Sequence, residues 1–597
     1  MDLKLLTETQ SMKLDLPEGG FVLKHGGVLK EINVAYETCG TLSPDCDNVI
    51  FIAHALTGDA HVAGWHAGDT KLTGWWSNMV CPGGGIDTDR FYVVCANVLG
   101  GCMGTTGPSS INPETGKAYG SSFPELTISD IVDVHKMFLD QLGIKKLYAI
   151  VGGSFGGMQS LDFITRYPDF VENAVVIASG ASLTTQALAF DIIGREAIVN
   201  DPNWRNGDYY DDGKSPDVGL SQARKLAHVT YISNEMMKEK FGRRRRDIAQ
   251  QKNFPNAEEF RTNFEVANYL EHQGEKFINR FDANSYLHIS RATDEFDMAA
   301  EYGSLAEAFA AVKAKVLVVA LSGDWLFLPS QSEDLTKAFF KAKKRVSYFC
   351  LNAPAGHDAF LTHIQDLVKV VSNFLSKDKS DFDPNSLSAD DRKDYDELIT
   401  MLPEQTSSIL DVACADGMLM SYIKNKNNDV KFTGVDMDLE QINHVLAKNA
   451  NAVLANVDSG LEVIPDNTFD CAILSESLQV MRAPDKVVTE LLRIAPTAIV
   501  SFPNFGMWSV LASLVFRGKM PKTKRLPYEW YNTPNIHLCT IRDFIQLCND
   551  KDIKIEKISY RTTLFLSKVF VALGMKNLGA SRVLVKISRK TDVNPQA

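Results

Sequence analysis

What the sequence lacks narrows the field first. Its 597 residues hold ten cysteines, none of them in a C-x-x-C pair. Neither a disulfide framework nor a thiolate zinc site is expected from that pattern, and it suits a reducing, cytoplasmic setting. There is no cationic excess: 62 Lys+Arg against 74 Asp+Glu leave a net charge of −12. A nucleic-acid partner is disfavoured, because phosphate contact needs a basic face. No apolar run approaches the roughly 18 residues that cross a bilayer. The stretch 508–516 (WSVLASLVF) meets Arg517 and Lys519 at once, so no membrane partner is expected. The opening MDLKLLTETQ lacks a basic segment followed by an apolar one and does not read as a signal peptide. No internal repeat is visible.

What remains is ordinary globular composition, 45% hydrophobic and 23% charged, in a chain long enough for several domains. Composition shifts at 376–397 (SKDKSDFDPNSLSADDRKDYDE), which is acidic and Ser/Asp-rich. We read residues 1–375 as one domain, 376–394 as a linker and 395–597 as a second domain. Both alternate short β-branched runs with helical patterns, so the fold class is α/β. In the first domain 48–53, 91–96, 146–151, 174–178, 315–320 and 345–350 read as buried strands. Residues 185–300 break this rhythm and read as a helical lid, with helical patterning at 221–240 and 256–272. The four arginines at 243–246 read as a solvated helix end rather than a polyanion site.

Residues 152–156 spell Gly-Gly-Ser-Phe-Gly, a G-x-S-x-G motif between a strand pattern and a helical one. That is the setting of a nucleophile elbow, where glycines flank the serine because the turn leaves no room for side chains. The turn would lift Ser154 Oγ to the amino end of the following helix, where the dipole and free N–H groups favour developing negative charge. A serine needs a base. In this arrangement the partners follow in the order Ser, Asp/Glu, His. Asp324 in LSGDWLF and His357 in APAGHDAF each follow a late strand, so Asp324 is expected to orient His357. His363 and Asp358 are the nearest rivals. The oxyanion hole is expected from the backbone N–H groups of Phe155 and of Leu56, in AHALTG after the strand NVIFIA. His54 and His61 match no zinc spacing, and no metal is expected.

At these residues the sequence resembles MetX-type homoserine O-acyltransferases, enzymes of the α/β-hydrolase fold. The specific blocks are HALTGDAH (54–61), NVLGGCMGTTGPSSINPETGKAYG (97–120), GGSFGGMQ (152–159), ARKLAHVTYIS (223–233), RFDANSYL (280–287), SGDWLFLP (322–329) and GHDAF (356–360). The resemblance implies ping-pong acyl transfer from acyl-CoA, through an acylated Ser154, to the γ-hydroxyl of L-homoserine. It implies no tightly bound cofactor and a homodimer formed through the lid. It also implies that Arg224 holds the homoserine carboxylate and Asp358 its ammonium, which suits a planar guanidinium and a carboxylate. Members resembling succinyltransferases carry arginine two positions after the triad aspartate. Leu326 stands there instead and cannot pair a carboxylate, so acetyl-CoA is the expected donor. The alternatives are a homoserine O-succinyltransferase, or a serine esterase with the same triad.

In the second domain, SSILDVACADG (407–417) and KFTGVDMD (431–438) resemble the opening of class I S-adenosylmethionine-dependent methyltransferases, a Rossmann-like fold. More narrowly, FDCAILSESLQ, IVSFPNFGMW and PYEWYNTPNIHLCTIRDF resemble MetW proteins. The family loop reads D-x-G-x-G-x-G, whereas here it is Asp411, Ala413, Ala415, Gly417. The resemblance implies a possible S-adenosylmethionine site at Asp411, Gly417 and the ribose acid Asp436. The domain is expected to be regulatory or a vestigial methyltransferase.

Overall fold

The computed structural model describes residues 5–68, 73–245, 264–377, 382–522, 528–562 and 564–590. They form two compact units, Met1–Leu375 and Ser376–Ala597.

The first unit is built on β1 (Gln10–Lys13), β2 (Asn33–Cys39), β3 (Val49–Ala53), β4 (Tyr92–Ala96), β5 (Leu147–Gly153), β6 (Val171–Ile177), β7 (Lys315–Leu321) and β8 (Val346–Leu351). Their order in the sheet is β1-β2-β4-β3-β5-β6-β7-β8. The β1–β2 and β2–β4 pairings are antiparallel and the rest parallel. Strands β3, β5 and β7 are buried at every residue, because helices cover both faces of such a sheet. This is why they read as unbroken apolar runs. Strands β1 and β2 were not anticipated; β1 has no buried residue, and an edge strand of that kind leaves no apolar signature.

Helices α1 (Ile128–Gln141) and α2 (Phe155–Arg166) pack beside the sheet. Thr127 and Asp130 close a reciprocal capping box at the start of α1. The expected lid is helical: α3 (Thr185–Val199), α4 (Asp217–Tyr231), α5 (Asn234–Lys240), α6 (Glu265–Ile278) and α7 (Ala283–Asp294). Residues 256–263 lie outside the described residues. The pattern at 221–240 is not one helix. It breaks at Ile232, which is extended, and Ser233 caps α5. Ser233 also donates from its backbone N–H to Ala355 O at 3.2 Å and from its hydroxyl to Pro354 O, so the break ties the lid to the loop after β8. Arg243, Arg244 and Arg245 are exposed. Arg244 pairs with Glu265 at 2.7 Å, while Arg243 and Arg245 lie over the Phe264 ring; Arg246 is outside the described residues.

The second unit has β9 (Ser408–Val412), β10 (Lys431–Asp436), β11 (Asn451–Leu454), β12 (Cys471–Ser475), β13 (Thr497–Pro503), β14 (Ile553–Arg561) and β15 (Arg582–Arg589). Their order is β11-β10-β9-β12-β13-β15-β14, with β15 antiparallel to both neighbours. The order reverses beside β9, where open α/β sheets hold their ligands. The segment 376–394, expected as a linker, is helical from Ala389 to Ile399 with Ser388 as its cap. Residues 378–381 are outside the described ones. The acidic run misled because Asp394 is not solvated: it is 3% exposed and takes Arg561 and Arg582 as partners.

Candidate active site

In an open parallel sheet the carboxyl ends of the strands are where loops converge and ligands sit. In the first unit the loops after β3, β5, β7 and β8 carry Leu56, Ser154, Asp324 and His357 there. Ser154 has φ +57°, a left-handed backbone that a serine adopts only under constraint. The constraint is visible in its neighbours. A Cβ on Gly152 would stand 2.1 Å from Gly156 O, and one on Gly156 would stand 2.0 Å from Ala53 O. The turn is possible only with glycine at both positions.

Asp324 and His357 are each 3% exposed. His357 Nδ1 meets Asp324 Oδ2 at 2.6 Å, while Asp324 Oδ1 accepts the backbone N–H groups of Leu326 and Phe327, both at 2.9 Å. Three hydrogen bonds therefore hold the carboxylate. Burial alone would make His357 less basic, but Asp324 beside it, and Asp358 next in line, outweigh that and raise its pKa. The imidazole sits among the rings of Tyr231, Phe327 and Phe360, at 5.9, 5.5 and 5.6 Å. Phe360 also closes on the elbow, since a Cβ on Gly153 would lie 2.7 Å from its ring. His357 is thereby held on the Ser154 side of the sheet. His363, by contrast, is exposed and hydrogen-bonded to Thr362.

Ser154, Phe155, Leu56 and Leu326 line one cavity together with Leu183 and, from the lid, Phe190. Phe155 opens α2, so its N–H has no helical acceptor, and among the described residues neither it nor the Leu56 N–H bonds another group. Both are available to an oxyanion.

Arg224 donates to Thr57 Oγ1 at 3.1 Å and lies over the rings of Tyr231 and Phe277. Arg280 donates to Thr57 O. Two guanidinium groups thus meet at the residue after Leu56. Asp358 N–H is anchored on Tyr231 O at 3.0 Å. Its carboxyl is raised by burial, against the pull of His357, Arg224 and Lys240. Arg280 and Tyr231 were missed as site residues, although RFDANSYL and ARKLAHVTYIS contain them.

The two histidines weighed for a metal do not meet. His54 is buried, and burial depresses its pKa. Its Nδ1 contacts Ala55 O at 2.8 Å and its Nε2 accepts Val98 N–H at 3.2 Å, the pattern of a neutral ring. His61 and His66 converge instead on Glu37, at 2.9 and 2.7 Å, with Thr9 at 2.7 Å. Glu37, His61 and His66 are a donor set that a metal could take. Here each imidazole faces a Glu37 oxygen as a hydrogen-bond partner.

In the second unit, Asp411 is the last residue but one of β9, which β10 and β12 flank, and is 2% exposed. Its Oδ2 is buried without a hydrogen bond among the described residues, and burial, then Asp436, push its pKa up to about 8. Ala413 and Ala415 hold φ +52° and +47°, and Gly417 +76°. The loop therefore keeps a glycine-type backbone on alanines. Asp436 accepts Ala415 N–H at 2.9 Å and Asp438 N–H at 3.0 Å, which ties the expected ribose acid to that same loop.

The sheet order, the elbow and the acid–imidazole pair define the first unit as an α/β-hydrolase-fold protein, followed by a second α/β unit. Comparison with known proteins agrees in both parts. Residues 48–364 match the alpha/beta hydrolase fold family, and 392–581 match the family described as methionine biosynthesis protein MetW. The bifunctional methionine biosynthesis protein MetXA/MetW of Rhodopirellula baltica is 37% identical over 574 residues, 92% of this chain and 90% of its own. The homoserine O-acetyltransferase of Methanosphaera stadtmanae is 48% identical over 371 residues, 62% of this chain and 73% of its own. Among solved structures, homoserine O-acetyltransferase from Bacillus anthracis superposes with TM-score 0.57 at 26% identity, covering 63% of this chain and all of that one. Esterase E22 gives 0.56 at 29%, covering 62% of this chain and all of that one. The chain belongs to the MetXA/MetW family, a MetX-type homoserine O-acetyltransferase unit fused to a MetW unit.

Proposed function

We propose that the first unit moves an acetyl group from acetyl-CoA to the γ-hydroxyl of L-homoserine, in methionine biosynthesis. The observation that carries this reading is the buried 2.6 Å Asp324–His357 pair set beside a strained, glycine-flanked Ser154. His357 takes the Ser154 proton as Oγ attacks the thioester carbonyl. The oxyanion is received by the N–H groups of Leu56 and Phe155. CoA leaves as the thiol, carrying the proton from His357. Homoserine then enters with its carboxylate toward Arg224 and its ammonium toward Asp358, and His357 deprotonates the γ-hydroxyl that attacks the acetyl-serine. Leu326, in the cavity wall, leaves an acyl carboxylate without a partner, which favours acetyl over succinyl.

Hydrolysis by the same triad is the second reading, favoured by the likeness to esterase E22. CoA release from acetyl-CoA, followed with and without homoserine, separates the two. Release that depends on homoserine supports the transferase, and equal rates overturn it.

For the second unit we propose a ligand-sensing role, with S-adenosylmethionine held at Asp411, Gly417 and Asp436. When bound, that cofactor would supply an electrophilic methyl group. The buried Asp411 oxygen without a partner suits a polar ligand group at the carboxyl end of β9. Isothermal titration with S-adenosylmethionine tests this, and the absence of both binding heat and a thermal shift would sink it.

A further inference from the structure

The two N–H groups offered to an oxyanion come from different elements: Leu56 lies in the loop after β3, and Phe155 opens α2. Two such donors serve one oxygen only while the distance between their carriers is fixed. The helix runs close against the loop, since a Cβ on Gly156 would stand 3.1 Å from His54 O as well as against Ala53 O. One polar side chain joins them. Gln159, one turn into α2, donates from Nε2 to His54 O at 3.1 Å and to Phe155 O at 3.4 Å. Both carbonyls only accept, so the nitrogen of the carboxamide must face them and its oxygen must face away. On that other side Oε1 meets His135 Nε2, on α1, at 3.2 Å.

The chemistry above uses none of these groups. Gln159 and His135 are each 1% exposed and His54 is 2% exposed, and none of the three lines the cavity over Ser154. Burial first, and the His54 ring second, push His135 down to about 3, so its ring is neutral and holds one proton. His135 Nδ1 is buried with no hydrogen-bond partner among the described residues. The proton therefore sits on Nε2, where it meets the amide oxygen. The same ring packs edge-on against Phe51 of β3, with centroids 5.0 Å apart. A carboxamide buried to this degree is held by its partners, because leaving any of them unpaired there is costly.

We propose that Gln159 is a positioning residue for the oxyanion hole: its carboxamide clamps the loop bearing the Leu56 N–H to the helix bearing the Phe155 N–H, and His135 holds that carboxamide in register. This rests on the acyltransfer reading above. Acetylation of Ser154 and its discharge both pass through an oxyanion on the same carbonyl, so the clamp serves the two half-reactions alike.

The test uses Gln159→Met in the full-length chain, which keeps the side-chain length and removes both ends of the clamp. Rapid-quench mass spectrometry reads the rate at which acetyl-CoA acetylates Ser154 and the rate at which homoserine discharges it. Both should fall by about 30-fold, less than the roughly 100- to 1,000-fold lost when an oxyanion donor is removed outright. The affinity of an alkyl boronic acid, whose tetrahedral adduct on Ser154 mimics the oxyanion, should fall by a similar factor. The acid limb of the pH profile, set by His357, should stay in place. His135→Phe keeps a ring against Phe51 and leaves Oε1 unpaired. It should slow both steps by about threefold, which keeps the proposal testable if Gln159→Met does not fold. A folded variant whose two rates match wild type overturns the proposal, as does slowing without loss of boronate affinity. Slowing of one half-reaction alone, or a displaced pH limb, overturns it as well, by assigning Gln159 to one substrate or to His357. Failure of the acyltransfer reading shows instead in the wild-type chain, as an acetyl adduct that homoserine does not discharge.

Discussion

The two units solve the same structural problem with opposite outcomes. Each places an acid near the carboxyl end of a buried parallel strand and follows a strand with a tight turn that holds at least one non-glycine residue at positive φ. In the first unit the loop has glycine wherever a Cβ would collide, and Asp324 is held by three hydrogen bonds. In the second unit alanines occupy left-handed positions, and one oxygen of Asp411 is buried with no hydrogen-bond partner among the described residues. An acid satisfied on both oxygens suits the orienting role proposed for Asp324. An acid buried with one oxygen open either awaits a ligand or is what remains of a lost one. The contrast teaches that fold and loop conformation persist under weaker demands than chemistry does.

The comparison breaks most easily at the first unit's site. Ser154→Ala should lower homoserine acetylation by at least about 1,000-fold, and Asp324→Asn by about 10,000-fold, because the imidazole loses its orienting acid. Steady-state kinetics check both, with a circular-dichroism melt to show that the fold survives. Loss below tenfold in either would remove the contrast between the units. The pH profile sharpens it. His357 acts as base only when neutral, and its raised pKa means activity falls with acidification at a pH above the ordinary histidine value of 6.5. Asp358→Asn removes one of the charges that raise it and should move that limb to lower pH.

Next in size is the elbow itself. Gly156→Ala sets a Cβ against Ala53 O and should destabilise the first unit by about 3 kcal/mol or more, read as a lower melting midpoint. The second unit should respond in the opposite sense. Asp411 has a folded pKa of about 8 against 3.8 in the free residue. A raised acid pKa means the folded unit binds the extra proton, so its stability declines as pH climbs from 3.8 and levels off above about 8. Asp411→Asn removes that decline, and its advantage over wild type should widen across this window in urea melts. The smallest effect is Ala413→Gly with Ala415→Gly. Relief of left-handed strain should stabilise the second unit by up to about 1 kcal/mol, and the same melts would show it.

The elements that decide the first unit's function were legible because their signals are local. Strands β3, β5, β7 and β8 are apolar runs, since parallel strands are covered on both faces. Gly152, Ser154 and Gly156 sit within five residues, and Asp324 and His357 each follow a recognisable strand. The rest depends on packing that no local pattern encodes. Arg224 and Arg280 both reach Thr57, from 167 and 223 residues further along the chain. Asp394 looked like a linker acid because its partners, Arg561 and Arg582, lie far along the chain. The helix break at Ile232 was hidden because it depends on Ser233 reaching the loop after β8. Alanine at 413 and 415 was visible as a departure, but only the structure shows that the backbone kept the glycine conformation.

We propose that Ser154 carries the acetyl group between donor and acceptor. Intact-mass and peptide mass spectrometry of the chain mixed with acetyl-CoA, in the absence of homoserine, tests it directly. One acetyl adduct is expected on the peptide containing Ser154, discharged when homoserine is added and absent from Ser154→Ala. An active enzyme that never shows this adduct, or one acetylated elsewhere in a form that homoserine discharges, would contradict it.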